Sequence, residues 1–316
     1  MLEIILNSLQ SALSIVIMIG LGFFLTRRGM FDENVSKLFT RLVVNVSLPA
    51  MMFSNLLTVF DREKLYSAGK GILIPFISML SCYAIAVAVA KLIRVRPERK
   101  GVFQAMFFAS NTIFMGMPVN IALFGEQSTP YVLFYYFANT TLFWTLGIYS
   151  IGGDVKGSEN RIWGINTVKS VFSPPLLGFI AGIILVIAGI RPPAFIMDSC
   201  KYIGNLTTPL SLLFIGITFS SVKLSDIRID KDMTALVLGR FILSPLLVYA
   251  LALVIPIPSL MTKVFIIQAA MPVITQSAIT AKAYDADYQY ATVMVTVTTA
   301  LSVLFIPVYM VLMRGL

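Results

Sequence analysis

The chain has 316 residues, of which 58% are apolar and only 12% charged, with a net charge of +9 and no histidine. A soluble domain carries about 25% charged residues, and a mean hydropathy of +0.87 leaves more apolar surface than one core can hide. These figures exclude a soluble enzyme, a nucleic-acid binder and a disordered chain, and leave an all-α integral membrane protein with several spans.

Without histidine the usual serine and cysteine triads and most zinc sites are impossible. Cys82 and Cys200 make neither a disulfide framework nor a metal site. The chain is therefore not read as an enzyme, and no cofactor or metal is expected. The first apolar stretch lacks a preceding basic region and a small-residue cleavage site, so it reads as a retained helix.

In chain order, ten stretches can span a bilayer: about 4–26, 35–57, 71–92, 101–124, 130–151, 172–190, 198–220, 233–255, 260–283 and 288–312. The polar link from Gly152 to Lys169 divides them five and five. Residues 1–151 form a first five-helix unit, 152–169 a short cytoplasmic linker and 170–316 a second unit. With the N-terminus outside, sixteen basic residues fall on the inner side, among them Arg27, Arg28, Lys37, Arg41, Arg96 and Arg99, against six outside. That bias predicts a plasma-membrane protein with both termini extracytoplasmic.

Two units of five spans each point in opposite directions, the architecture of many secondary transporters. Residues recur between them. Span 2 carries Arg41-x-x-x-Asn45-x-Ser47-x-Pro49, and span 7 carries Lys201-x-x-x-Asn205-x-Thr207-x-Pro209. Lys70 precedes Pro75 by five residues, as Arg240 precedes Pro245. Met117-Pro118-Val119 in span 4 matches Met271-Pro272-Val273 in span 9. Thr140-Thr141 and Thr298-Thr299 give a weaker echo between spans 5 and 10.

Span 4 holds Asn111, Thr112, Gly116, Pro118 and Asn120 within ten residues, and span 9 holds Gln268, Pro272, Thr275 and Gln276. Proline removes a backbone donor and glycine lowers the cost of unwinding. Matching interruptions predict two discontinuous helices that cross near the midplane. Their exposed N-termini carry partial positive charge and free N–H donors. All 15 acids fall in loops or within about a turn of a span end, whereas cation pumps keep a buried carboxylate. Amides, hydroxyls and helix ends suit an anion, so the candidate substrate-binding residues are Asn111, Thr112, Gly116, Pro118, Asn120, Asn139, Pro272, Thr275 and Gln276. Asn45 and Asn205 are placed on the scaffold side of the site, with hydrogen bonding between helices as their alternative role. Lys201 and Arg240 are expected to snorkel to the interface.

Taken together, Asn45-x-x-Leu48-Pro49-Ala50, the run Asn111 to Pro118, Asn205-x-x-Thr208-Pro209-Leu210 and the Pro272 break resemble the auxin efflux carrier family, along nearly the whole chain. The resemblance implies the ten-helix inverted repeat of bile-acid symporters. Spans 1, 2, 6 and 7 would form a dimerising scaffold, and spans 3–5 and 8–10 a transport domain that moves in elevator-type alternating access. Spans 4 and 9 would cross at Pro118 and Pro272 beside the substrate, an auxin-like molecule or a mono- or dicarboxylate. A sodium- or proton-coupled symporter of the same fold is the alternative, and a membrane sensor or channel is the alternative of another class.

Overall fold

The computed structural model describes residues 2–153, 174–220 and 229–313. These residues are helical, with one isolated antiparallel bridge and no sheet among them. The helices are α1 (Leu2–Arg27), α2 (Glu33–Val59), α3 (Lys70–Leu92), α4 (Lys100–Phe108), α5 (Thr112–Phe124) and α6 (129–152). They continue with α7 (Pro174–Ala188), α8 (Ala194–Ser220), α9 (Lys231–Val254), α10 (Ser259–Ala269), α11 (Gln276–Ala283) and α12 (Tyr288–Leu312). Both apolar stretches expected to be interrupted are split, into α4/α5 and α10/α11. Helices α2, α3, α8 and α9 are long and apolar enough to cross a membrane. The expected linker lies outside the described residues beyond its first two positions.

Three helices widen into a π turn two residues ahead of a proline. Val43–Ser47 precedes Pro49, Thr112–Gly116 precedes Pro118 and Gly239–Leu243 precedes Pro245. A proline ring strikes the carbonyl four residues back and offers no N–H. One extra residue in the turn moves that carbonyl aside. At Pro245 the displaced carbonyl belongs to Phe241, and the Tyr309 hydroxyl of α12 donates to it. Asp32 and Asp230 cap α2 and α9 by accepting from the N–H groups of Val35 at 2.9 Å and Met233 at 2.8 Å. The bond from Val35 holds the Asp32 carboxyl below the ordinary aspartate range.

Helix α1 lies along α8, and α2 lies along α7. Glycines bring these backbones into contact: a Cβ on Gly216 would stand 2.2 Å from the Ile19 carbonyl oxygen, and one on Gly178 2.5 Å from that of Pro49. Helix α3 packs on α4, α6 and α9, α9 on α10, and α11 on α12. Their core is aromatic, with Phe103, Phe108, Tyr135 and Phe265 fully buried.

The span 2 and span 7 motifs meet in this packing. The buried Thr207 hydroxyl donates to the buried Ser47 Oγ at 3.1 Å. Residues two apart lie on roughly opposite faces of a helix. Burying Ser47 and Thr207 therefore turns Asn45 and Asn205 outward, where both are exposed.

One end of the second group is tied by Arg99, just ahead of α4. Its guanidinium lies 3.2 Å from Asp230, 3.6 Å from Asp232 and 3.2 Å from Asp287, and 4.5 Å over the Tyr290 ring. Asp287 also accepts from the Tyr290 N–H at 2.9 Å, so one arginine joins the starts of α4, α9 and α12. Asp232 stands at a helix end, as read for every acid, but it is buried.

Candidate functional site

The two interrupted helices cross through their breaks. Residues Ser110 and Val273 form the antiparallel bridge. The Asn111 N–H donates to the Pro272 carbonyl at 2.8 Å, and the Ile274 N–H to that of Ala109 at 3.3 Å. Each break thus satisfies backbone groups of the other, which extended chain buried in protein requires.

Side chains bracket the pair on both sides. The Asn139 carboxamide of α6 accepts from the Ser110 N–H at 2.9 Å and donates to the Ser110 carbonyl at 3.0 Å, as a neighbouring strand would. On the other side, the Thr298 hydroxyl of α12 accepts from the Val273 N–H at 3.2 Å. The Thr-Thr echo includes Thr298, but the bracket of span 5 is Asn139, one residue before Thr140.

Asn111 and Thr275 are the N-caps of α5 and α11. The Asn111 carbonyl oxygen accepts from the Phe114 N–H at 3.1 Å, and its Nδ2 donates to Thr275 Oγ1 at 2.9 Å. Two helix N-termini therefore meet through their caps. A cavity of about 700 Å³ runs from the first turns of α2, at Glu33 and Lys37, to this point. Asn111, Thr112, Asn139, Thr275 and Gln276 line it, with Ser110, Arg41, Tyr136 and Trp144. At its mouth Lys37 pairs with Glu33 at 2.7 Å.

The remaining candidates stand apart from the cavity lining. The Pro272 carbonyl belongs to the crossing itself. Pro118 sits in the first turn of helix 117–124, where a missing N–H is harmless. The bridge lies eight residues before Pro118, so the crossing is at Ser110 and Val273, beside Pro272 as expected but away from Pro118, and the Met-Pro-Val match joins positions that are not equivalent. The Asn120 amide donates back to the Gly116 carbonyl at 2.7 Å. A Cβ on Gly116 would stand 2.2 Å from Gln268 Oε1, and the Gln268 amide donates to the Thr112 carbonyl at 3.3 Å. Gly116 thus makes room for a side chain of α10. Asn45 and Asn205 are absent from the lining, and α2 contributes Arg41, Val44 and Leu48 instead.

Arg240 corrects the expectation of snorkelling, because it is completely buried. Nη1 donates to the carbonyls of Phe107 at 3.1 Å and Phe108 at 2.9 Å. Nη2 donates to Ala269 at 2.7 Å and Met271 at 3.1 Å, and Nε to Met271 at 3.4 Å. The fork closes the C-terminal ends of both α4 and α10, whose last carbonyls have no helical partner. The sequence signal was an arginine well inside an apolar stretch, five residues before Pro245 within the π turn that turns it inward.

The profile of the family described as "Membrane transport protein" matches residues 8–310. An uncharacterized transporter of Methanothermobacter thermautotrophicus is 26% identical over 98% of this chain and 100% of its own length. An uncharacterized transporter of Methanocaldococcus jannaschii is 25% identical over 94% of this chain and 96% of its own. A Rhizobium meliloti protein named "Putative malonate transporter" is 22% identical over 86% and 85%. These relatives bear the names of transporters, not enzymes, and the resemblance to auxin efflux carriers agrees with them. This chain belongs to the membrane transport protein family.

Proposed function

We propose that the protein is a secondary transporter that moves a small organic anion across the plasma membrane by elevator-type alternating access. Asn111, Thr112, Thr275 and Gln276 hold the substrate, and Asn139 braces the crossing through Ser110. The meeting of two helix N-caps at the end of a cavity carries this reading, because N-termini offer N–H donors and positive potential to a carboxylate. The charges along the lining agree. Glu33 and Lys37 pair, which leaves Arg41 as the net charge, and no acid lines the deep end. Gly116, Pro118, Asn120 and Pro272 hold the crossing in shape from behind.

The helices then form ten spans in two inverted sets of five, with α4–α5 and α10–α11 each counting as one and both termini outside. Matching helix breaks and the Ser47–Thr207 contact support the repeat. So does the packing: an inverted repeat converts the pair α1–α8 into α7–α2, and both pairs occur. Helices α1, α2, α7 and α8 act as a scaffold that pairs two copies of the chain, and the other helices move as the transport domain. The name of the Rhizobium meliloti relative directs attention to short dicarboxylates.

The test is binding to the purified protein of malonate, malate and indole-3-acetate, each beside its neutral amide. We expect at least one acid to bind about tenfold or more tighter than its amide, as charge-assisted hydrogen bonds require. Equal affinities across all three pairs would overturn the anion reading.

A further inference from the structure

We infer that Arg240 is the specificity-determining charge of this transporter: buried without a counter-ion, it cancels the negative helix ends at the crossing and leaves the positive ends to attract an anion. This rests on the anion-carrier reading above and adds the source of its charge preference.

A crossing of two broken helices is electrostatically balanced on its own. It gathers two C-termini, at Phe108 and Ala269, and two N-termini, at Thr112 and Gln276. Each end carries roughly half an elementary charge, negative at C-termini and positive at N-termini. Four such ends in one place cancel. Arg240 breaks the balance, because its five hydrogen bonds run to carbonyls at the two C-termini and to no N-terminus.

The chemistry of the side chain fits this task. Guanidinium has five N–H donors in a rigid fork, and five bonds reach the four carbonyls. Lysine has three donors and could not bond all four. Unlike Arg99 and Lys37, Arg240 has no carboxylate partner among the described residues. The ionisable groups that act on it are Tyr135 and Cys82, both on neighbouring helices. Neither is a carboxylate. With this charge added the crossing carries a net positive excess, buried where an excess is costly, and the substrate anion balances it.

Of the carbonyls that Arg240 holds, that of Phe108 stands three residues before the cap Asn111 and that of Met271 four residues before the cap Thr275. At about 3.3 Å per extended residue the charge lies within roughly 10–13 Å of the site. With an effective dielectric constant of about 20, a unit charge at that range changes the affinity for a monovalent anion by about tenfold.

A merely structural role for Arg240 predicts loss of stability but no change in charge preference. The experiment therefore keeps the arginine and cancels its charge. Cys82 is fully buried on α3, which packs against α9 and its Arg240, and C82D places a carboxylate there, which the guanidinium keeps ionised. C82N has the same shape and no charge. For the tightest of malonate, malate and indole-3-acetate, the ratio of acid to amide affinity is measured in wild type, C82N and C82D. We expect wild type and C82N to share one ratio and C82D to fall by about tenfold, mostly through the acid. R240K should retain more of the preference than R240Q, and both should lower the melting temperature. A ratio alike in C82D and C82N, beside a wild type that prefers the acid, would overturn the inference and leave the anion reading standing. A wild type with no preference would overturn the anion reading itself.

Discussion

At the scale of single residues, Asn111 and Asn139 divide the work of the crossing. Asn111 joins the two N-caps and faces the cavity, so Asn111→Ala removes one polar contact to the substrate. We expect affinity for a bound carboxylate to fall about 10–150-fold, as loss of a charge-assisted bond implies, with a smaller effect on its amide. Calorimetric titration of both ligands checks this. Asn139 instead gives both polar ends of its carboxamide to Ser110, which is buried. Asn139→Ala strands a buried N–H and a buried C=O, and should cost about 2–4 kcal/mol of stability. A thermal unfolding midpoint equal to that of wild type would show that Ser110 finds other partners. Asn45 and Asn205, both exposed, should tolerate alanine with little effect on binding by a monomer.

At the scale of elements, Arg99 ties α4 to α9 and α12 with one side chain. Arg99→Ala leaves Asp230, Asp232 and Asp287 facing one another, and should cost about 1–3 kcal/mol. Because like charges cause part of the loss, the defect should shrink in high salt, and a defect independent of salt would place the whole effect in packing. The helices themselves were legible in the sequence, since apolar runs of about 20 residues, closed by charge clusters, leave little choice of boundary. Both interruptions were legible too, from asparagine, glycine and proline in apolar surroundings. Their exact place was not. Proline marks the break correctly at Pro272, whereas a π turn absorbs Pro118 and the extended residues of span 4 lie at 109–111, ahead of it. Local composition names the residue that disturbs a helix, and only the partner chain decides which backbone groups open. The same limit hid Arg240, because its acceptors come from two helices far apart in sequence. It hid the orientation of Asn45 and Asn205 as well, since only packing selects which of two adjacent polar positions turns inward.

At the scale of the whole molecule, two groups of helices differ in how they are held. Within α1, α2, α7 and α8, glycines set backbone against backbone, and within the other group Arg240 and the paired breaks lock helices by directional bonds. Between the groups lie aromatic contacts: Phe114 and Phe214 with ring centres 4.9 Å apart, Phe134 and Phe179 at 5.8 Å, and Phe60 and Tyr131 at 6.0 Å. Dispersion between rings has little directional demand, so such contacts can be broken and remade after a slide at small cost. The close backbone contacts of the first group and the directional bonds of the second cannot, so under the elevator reading each group would move as a body. The Phe114–Phe214 contact stands beside the cavity, because both residues line it. F114C/F214C, joined by a short reducible thiol cross-linker in a background without Cys82 and Cys200, should fix the groups in the present arrangement. We expect transport in proteoliposomes to fall by about tenfold or more on cross-linking and to return on reduction, while the acid still binds. Cross-linked protein that transports at the unlinked rate would show that the groups need not move, and would replace the elevator with a fixed passage.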